Sequence, residues 1–249
     1  MTDKWDDKEI RKSLDPKRYT KKYFRHKIYD LSGYQSMSSW QDCRRMMKEC
    51  NGFEGFFRKN ADRCRDQFAD PYRAYISTIS SEIMAISFEL CVFLKLACEW
   101  VKPKNILDLG SGFSSYVFNR YAQDSGYEVN VLSVDDDERW LEKTKEYLEG
   151  CGLRNPNLSD WNTFITAESK SPFDLILYDI GDFLLRVKYI EPILLKHSRE
   201  GSIVVVDDMH HAGYGLHVRA VAEKRQWKHF NIRPLVKDHF GRYSWLIKC

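Results

Sequence analysis

Residues 105–115 have the sequence NILDLGSGFSS, in which a mostly apolar run leads into a pair of glycines. The apolar run predicts a buried strand, and the residues from Ser114 onward predict a helix. Gly110 and Gly112 let the backbone turn sharply and approach a ligand closely. The first turn of the following helix also has N–H groups without helical partners. This unit therefore predicts a ligand site at the carboxyl end of a strand.

The alternation of strands and helices continues on both sides of the glycine turn. Apolar runs and helix-ending signals predict helices at 77–101, 114–123, 137–149, 183–199 and within 213–227, and strands at 105–109, 129–135, 174–179, 202–207, 229–236 and 243–248. Residues 153–171 are ambiguous and leave room for a short third strand. Parallel units that end in a hairpin predict an α/β fold: a doubly wound, mostly parallel seven-stranded sheet with a C-terminal antiparallel hairpin, plus an N-terminal helical cap.

Composition excludes several classes of protein. The net charge of +3 on 249 residues is too small to indicate nucleic acid as a partner. The seven cysteines are scattered without a C-x-x-C pair, which argues against a disulfide framework and a structural zinc site. We therefore expect a reducing cytoplasm. The N-terminus lacks the apolar core of a signal peptide, and Glu89, Lys95 and Glu99 interrupt the most apolar run, so no membrane association is expected.

Residues 1–72 differ from residues 73–249 because they are rich in charged and aromatic residues and show no strand-like runs. They predict two or three short helices that cap the acceptor side of the sheet, which is the side where a substrate would bind. Residues 73–249 form the ligand-binding domain. We place the boundary at Asp70-Pro71, because proline restricts the residue before it. No repeat or long linker interrupts the chain.

Basic and aromatic residues are interleaved between positions 17 and 27. Such mixing can bind nucleic acid. Helical spacing favours a simpler interpretation, in which Tyr19 and Tyr23 face a core and the cations cover the solvent side.

Two residues argue against a dinucleotide at the glycine turn. Ser115 stands where the third glycine of G-x-G-x-x-G would be. Asp108 precedes the glycines, and its carboxylate would repel a pyrophosphate but stabilise a cationic ligand. The second predicted strand ends at Asp135, where a carboxylate typically binds ribose hydroxyls. Asp136 and Asp137 fit the start of the next helix, where aspartate caps free N–H groups.

Together, ILDLGSGFS at 106–114 and SVDDDERW at 133–140 resemble the motifs of class I, Rossmann-like methyltransferases that use S-adenosylmethionine (SAM). The resemblance covers about residues 77–249. It implies that Asp108, Gly110 and Gly112 hold the amino acid part of SAM, and that Asp135 holds the ribose. The full cofactor-binding set predicted here is Asp108, Gly110, Ser111, Gly112, Phe113, Asp135, Asp136 and Asp179. Adenine-binding residues are expected near Asn157–Phe164, with Asp160 and Trp161 as candidates.

Acidic residues also end the fourth and fifth predicted strands, at Asp179 and at Asp207-Asp208. These strands should be neighbours, so three carboxylates would converge and would need a compensating cation or proton. Mg²⁺ takes oxygen ligands and lowers the pKa of a bound hydroxyl. His210 or His211 would then act as the general base.

This pattern is similar to that of the metal-dependent O-methyltransferases of catechols and macrolide sugars, which place an Asp after strand four and an Asp-Asp or Asp-Asn pair after strand five. The resemblance implies Asp179, Asp207 and Asp208 as metal ligands, and Asp179 joins His210 and His211 as a catalytic candidate. Two alternatives stay open. Many metal-free members carry acids at these strand ends, and Asp207 or Asp208 can cap the next helix.

We therefore expect SAM-dependent methyl transfer to a hydroxyl of a small molecule, in which the enzyme supplies positioning and a base or a metal. The alternatives are a metal-free methyltransferase with a nitrogen or RNA acceptor, and a non-catalytic SAM-fold binding protein. An NAD-dependent oxidoreductase is disfavoured by Asp108 and Ser115. Residues 178–181 lack the Pro-Pro-aromatic sequence of enzymes that methylate DNA adenine, which argues against nucleobase amino groups without excluding RNA ribose hydroxyls.

Overall fold

A computed structural model of the protein describes residues 34–50, 52–153, 155–168 and 171–249. The basic and aromatic segment between residues 17 and 27 lies outside these ranges. The strands are β1 (Asn105–Leu109), β2 (Asn130–Asp135), β3 (Asn157–Asp160), β4 (Leu175–Tyr178), β5 (Ile203–Val206), β6 (Lys228–Asn231) and β7 (Trp245–Lys248). The helices are α1 (Tyr34–Glu49), α2 (Phe53–Thr78), α3 (Phe88–Val101), α4 (Phe113–Asp124), α5 (Glu138–Gly150), α6 (Trp161–Thr166), α7 (Phe183–His197), α8 (Ala212–Lys224) and α9 (Arg233–Val236).

The strands form one sheet in the order β3-β2-β1-β4-β5-β7-β6. β1 to β5 run parallel, whereas β7 runs antiparallel to both β5 and β6. The predicted doubly wound sheet with a reversed C-terminal strand is therefore confirmed, and the ambiguous segment supplies β3. The switch point of the topology lies between β1 and β4, so ligand-binding residues are expected at the carboxyl ends of these strands.

Side chains of the central strands alternate between two hydrophobic cores, one on each face of the sheet. Ile106 and Leu175 pack into the core beneath α2 to α4, whereas Leu107 and Ile176 pack into the core beneath α7 and α8. This alternation follows from the two-residue repeat of a strand. Because both faces of the sheet are covered by helices, the central strands β4 and β5 are apolar along their whole length.

α2 passes through the boundary predicted at Asp70-Pro71, so the helical break expected there does not occur. Pro71 has no N–H and removes one backbone hydrogen bond from the helix. Phe68, Tyr72 and Tyr75 on either side of it are buried, and their packing outweighs the local preference. The division of the chain into two segments near this point remains a prediction, and α2 crosses it.

The helix predicted at 77–101 begins later than expected, at Phe88. Ser87 caps it, because its Oγ accepts a hydrogen bond from the Leu90 N–H at 3.0 Å. Its apolar composition reflects burial between α2 and α4. Across the ranges that the structure describes, no helix combines the length and the apolar character needed to cross a membrane.

Residues 79–87 form a loop that is tied to the C-terminal part of the chain. The guanidinium of Arg242 donates to the carbonyl oxygens of Glu82 at 2.9 Å, of Ile83 at 2.7 Å and of Ala85 at 3.0 Å. It also donates to Asp238 at 2.6 Å. One side chain near the end of the sequence therefore holds the loop that joins α2 to α3.

The C-terminal hairpin is shorter than predicted. The strand expected at 229–236 ends at Asn231, and α9 follows it. Pro234 lies in the first turn of α9, where its fixed φ suits a helix and its missing N–H would weaken a strand ladder.

α1 packs across β6, although the two elements lie far apart in the sequence. Arg45 donates to the carbonyl oxygen of His229 at 2.9 Å, and its guanidinium lies 4.9 Å from the ring centre of Phe230. Lys228 forms a 2.8 Å ion pair with Glu49. The first described helix is therefore fastened to the last part of the sheet.

Candidate cofactor and acceptor site

The glycine turn lies at the carboxyl end of β1, beside the switch point. Gly110 has φ +100° and Gly112 has φ +153°, which are values that favour glycine. A Cβ atom on Gly110 would lie 2.6 Å from the carbonyl oxygen of Asp179. The turn can therefore pass this close to the end of β4 only with glycine at position 110. The predicted sharp turn is present, and the close approach of its backbone to a ligand stays a prediction.

Asp108 lies beneath this turn and is fully buried. One carboxylate oxygen accepts hydrogen bonds from Ser115 Oγ at 2.6 Å and Ser133 Oγ at 2.9 Å. The other oxygen, Oδ1, has no hydrogen-bond partner among the described residues. Burial raises the pKa of the Asp108 carboxyl to about 7, although the serine hydroxyls partly offset it. A buried acceptor without a donor fits a site that is completed by a cationic ligand.

Asp135 ends β2 and holds the glycine turn in place. Its Oδ2 accepts hydrogen bonds from the Ser111 N–H at 2.8 Å and the Ser111 hydroxyl at 2.9 Å. Its Oδ1 accepts the Asp137 N–H at 3.0 Å and keeps capacity for one more donor. The indole N–H of Trp140 donates to the Ser111 carbonyl at 2.8 Å. The predicted ribose-binding carboxylate is therefore also a support of the turn.

Asp136 and Asp137 differ in their roles. Asp137 caps α5, because its Oδ1 accepts hydrogen bonds from the N–H groups of Arg139 at 2.9 Å and Trp140 at 3.3 Å. The cap predicted for Asp137 is thus confirmed. Asp136 is exposed and points instead toward Gly181, where an added Cβ would lie 2.8 Å from its Oδ2. Asp136 therefore lies between the ends of β2 and β4, which suits its place in the predicted cofactor set.

Tyr75 of α2 reaches the glycine turn, a contact that the sequence did not suggest. A Cβ on Gly112 would lie 3.0 Å from the Tyr75 hydroxyl oxygen. Phe113, expected to bind cofactor, has its ring buried against Tyr72 and Tyr75, with ring centres 5.1 and 5.2 Å away. The Phe113 side chain therefore belongs to the core, and α2 forms one wall of the turn.

Arg186 of α7 lies between the ends of β4 and β5, and it was also not predicted. Its Nη2 is 2.8 Å from Asp179 Oδ1, and its Nη1 is 3.0 Å from Asp208 Oδ2. Burial disfavours its charge, but the two carboxylates raise the pKa of the guanidinium, so Arg186 stays protonated. The signal that could have revealed it is an arginine on the apolar face of a predicted helix, one position before Val187.

The carboxylates predicted to hold Mg²⁺ do not form a metal site. Asp207 points away toward Ser244, whose hydroxyl donates to it at 2.6 Å, while Asp179 and Asp208 share Arg186. Within the described part of the chain, no group of three or more His, Cys, Asp or Glu side chains is arranged to hold a metal ion. Asp179 and Asp208 do come together as predicted, but a guanidinium supplies the compensation that was assigned to Mg²⁺, so Mg²⁺ is not supported.

His210 and His211 follow directly after these residues. His210 Nδ1 lies 3.6 Å from Asp208 Oδ1. His211 is exposed, with its ring centre 4.3 Å from that of Phe183 and 4.1 Å from that of His210. Desolvation of its ring by the neighbouring side chains, and after it the adjacent His210, lower the pKa of His211. Both rings lie at the end of β5, where an acceptor-side base is expected.

The candidates for adenine binding separate into one residue near the site and one in the core. Asp160 ends β3 and lies opposite Asp135 in the strand register, and its carboxylate caps α6 through the Thr163 N–H at 2.9 Å. The Trp161 ring is buried edge-on against Tyr189, with ring centres 5.1 Å apart. Asp160 thus remains close to the proposed ribose position, whereas Trp161 serves the core.

The sheet order, the glycine turn and the acidic strand ends together define the fold of class I SAM-dependent methyltransferases. No protein-family model matches the sequence, and no curated protein sequence is significantly similar to it. Solved structures, in contrast, align along most of the chain.

A methyltransferase from Podospora anserina, solved with S-adenosylhomocysteine (SAH), is 14% identical, with a TM-score of 0.57 over 74% of this chain and 88% of that chain. An O-methyltransferase from Bacillus cereus in complex with SAH is 16% identical, with a TM-score of 0.56 over 74% and 89%. The O-methyltransferase TomG from Streptomyces achromogenes, involved in tomaymycin synthesis and solved with SAM, is 17% identical, with a TM-score of 0.50 over 66% and 80%. These similarities confirm, at the level of the fold, the resemblance predicted from the motifs.

Proposed function

We propose that this protein is a SAM-dependent methyltransferase that methylates a hydroxyl group of a small molecule. One observation carries the proposal: the glycine turn at the switch point lies over a buried carboxylate, Asp108, that has an unpartnered oxygen. A dinucleotide would bring a pyrophosphate to this place, where Asp108 would repel it. SAM would bring an ammonium and a sulfonium group, which the same carboxylate would stabilise.

The residues present fit SAM. Gly110 and Gly112 let the turn pass close to Asp179 and Tyr75, which keeps its backbone at the carboxyl end of β1, above Asp108. Asp135 Oδ1 has capacity for one ribose hydroxyl, and the exposed Asp136 offers a second carboxylate close by. When bound, SAM supplies a methyl group on a positively charged sulfur, which is activated for transfer.

The acceptor side fits a hydroxyl better than an amine, because it supplies a base. The proton of the hydroxyl would pass to an imidazole nitrogen of His210 or His211 as the oxygen attacks the methyl carbon in line with the carbon–sulfur bond. The new O–C bond forms as the C–S bond breaks, which leaves a neutral thioether and a protonated histidine. The enzyme's main contribution is to hold the two reactants in this alignment.

Two observations favour a small molecule as the acceptor. The structural relative TomG is described as taking part in the synthesis of a small molecule, tomaymycin. The loop 237–244 lies beside the end of β5, where the Met209 N–H donates to the Tyr243 carbonyl at 2.9 Å, and Arg242 ties the loop 79–87 to it. Both loops would border a small acceptor bound near His210. The reducing cytoplasm remains our proposed compartment, since the described cysteines, Cys43 and Cys64 among them, are free thiols.

Calorimetry tests the cofactor assignment. The wild-type protein should bind SAM and SAH and should bind NAD poorly. Asp135→Ala should weaken SAM binding by about ten- to a hundredfold, because charge-assisted hydrogen bonds to ribose are lost. Asp137→Ala is the matched control: it removes a neighbouring carboxylate that caps α5, and SAM affinity should change less than about threefold.

Two results would contradict the proposal at different points. Undiminished SAM binding by Asp135→Ala would remove Asp135 from the ribose site. Tighter binding of NAD than of SAM would refute the methyltransferase itself. For the acceptor side, His210→Gln and His211→Gln should each be assayed with a panel of hydroxylated small molecules, and the base is the one whose loss lowers kcat without changing SAM affinity.

A further inference from the structure

The polar contacts of Arg186 go to residues that follow β4 and β5, and binding of SAM does not require them. Its side chain is only 9% exposed. Nε donates to the Ile180 carbonyl at 3.0 Å, and Nη2 donates to the Asp179 carbonyl at 3.0 Å. Nε also donates to the Gly181 carbonyl at 3.2 Å, and the remaining polar contacts are the two carboxylates, Asp179 and Asp208, at 2.8 and 3.0 Å. One planar fork therefore joins the residues that follow β4 to those that follow β5.

The backbone at Asp208 is adapted to this contact. Asp208 has φ +59°, in the left-handed region that residues with a Cβ rarely adopt. This conformation presents one carboxylate oxygen to Arg186 and the other to His210, 3.6 Å from its Nδ1. Because a buried guanidinium without anions would be costly, the cation and the strained aspartate support each other.

We infer that Arg186 is the permanent cation of the acceptor site: it occupies the place between Asp179 and Asp208 that a divalent metal would need, and it orients Asp208 toward His210. Arg186 is thus a positioning residue. It fixes Asp208, whose Oδ1 lies 3.6 Å from His210 Nδ1, a distance at which the carboxylate acts on the imidazole through its charge and not through a hydrogen bond. The role of His210 rests on the proposed function, whereas the exclusion of metal by Arg186 does not.

The first experiment measures metal binding to the full-length wild-type protein by electron paramagnetic resonance of Mn²⁺, with and without SAH. We expect the spectrum of free Mn²⁺ under both conditions. We also expect no change in the midpoint of thermal unfolding on adding EDTA or Mg²⁺. One Mn²⁺ bound per chain, and lost in Asp208→Asn, would overturn the inference. This measurement needs no acceptor and does not depend on whether the protein methylates anything.

The second experiment replaces the cation. Arg186→Met leaves Asp179 and Asp208 without a partner, so the unfolding midpoint should fall by about 6–20 °C. Millimolar Mg²⁺ should recover part of that loss, because the space and the two carboxylates are then open to a metal. Arg219→Met is the matched control, since Arg219 forms an exposed pair with Glu223 on α8, and neither its midpoint nor its response to Mg²⁺ should differ from wild type.

Measurements of turnover distinguish a positioning role of Arg186 from a role in stability alone. Arg186→Lys keeps the charge but loses the fork, so kcat should fall at least about tenfold while KM for SAM changes less than about threefold. If Arg186→Met does not fold, Arg186→Lys and the wild-type Mn²⁺ spectrum still decide the question. A Mg²⁺ response of equal size in wild type and Arg186→Met, or an unchanged kcat in Arg186→Lys, would refute the role given to Arg186. Failure of SAM to bind at all would instead refute the proposed function.

Discussion

At the scale of single residues, Asp108 links cofactor binding to protons. Its carboxyl has a pKa of about 7 without cofactor, because it is buried. A bound cation favours the ionised form, so SAM should release a proton when it binds below this pH. SAM affinity should therefore rise between pH 6 and pH 8 and level off above. Calorimetry in two buffers with different heats of ionisation measures the proton released, which should approach one per SAM near pH 6.

Asp108→Asn provides the control for this linkage. It should bind SAM more weakly and without the rise in affinity near pH 7. Without cofactor, the stability of the folded protein has the opposite pH dependence to SAM affinity. The raised pKa of the Asp108 carboxyl stabilises the folded state at low pH, and this contribution is lost as the pH rises through about 7. The asparagine variant should lack that loss as well. An identical pH profile of SAM affinity in both proteins would show that the Asp108 carboxyl does not lose a proton when SAM binds.

The sequence identifies residues whose role follows from their place on a strand, and misses those that arrive from elsewhere. Asp108, Gly110 and Asp135 lie at strand ends, where the parallel arrangement alone brings them to one edge of the sheet. Arg186 and Tyr75 are helical residues, and only the packing angle of α7 and α2 brings them to that edge. The assignment of Mg²⁺ to the three carboxylates lacks support for this reason, because the position of a compensating arginine cannot be derived from strand order.

At the scale of elements, the glycine turn joins β1 to α4 by passing against the end of β4. Gly110→Ala should destabilise the protein by about 2–5 kcal/mol, because it combines a left-handed φ with a Cβ only 2.6 Å from the Asp179 carbonyl oxygen. Gly126→Ala is the control, with φ +73° and no atom within 4 Å of the added Cβ. It should cost about 1 kcal/mol and leave SAM binding intact.

Chemical denaturation of both variants, together with SAM calorimetry, distinguishes clash from backbone strain. Equal losses of stability in the two variants would mean that only φ matters and that the turn does not press on β4. The distinction is informative because both glycines adopt positive φ, but only Gly110 is enclosed by another strand end.

Strands could be predicted here more accurately than helix boundaries. The parallel strands β4 and β5 are apolar on both faces, and that pattern is short and continuous. The ends of helices depend on packing and capping. α2 continues through Pro71 because aromatic residues on either side of it are buried, and α3 begins only after the capping residue Ser87. The shortened β6 has the same origin, since Pro234 favours a helical turn over a strand ladder.

At the scale of the whole molecule, α2 joins the first part of the chain to the sheet domain in one core. Phe68 of α2 is buried, and its ring centre is 6.0 Å from that of Tyr116 in α4. Phe68→Ala should cost about 3–5 kcal/mol, which lowers the unfolding midpoint by about 6–20 °C in a single transition. Asp66→Ala, at an exposed position of the same helix, should change the stability by less than about 0.5 kcal/mol.

Calorimetry that resolved two transitions, with only one of them shifted by Phe68→Ala, would show instead that the segment before residue 73 unfolds as a separate domain. That outcome would support the division predicted from composition. A single shifted transition would mean that α2 belongs to the same cooperative unit as the sheet, whatever the earlier residues do.

The contact of α1 with β6 has a consequence for how the protein is made. Arg45 and the carbonyl group of His229 that it binds are 184 residues apart in the chain. A ribosome adds about 5–20 residues per second, so α1 leaves the exit tunnel roughly ten seconds or more before its partner strand exists. During that interval the part of α1 that packs on β6 and α9 is uncovered. Nascent chains stalled before residue 228 should therefore expose α1 to protease and to chaperones, and release of the finished hairpin should end that exposure.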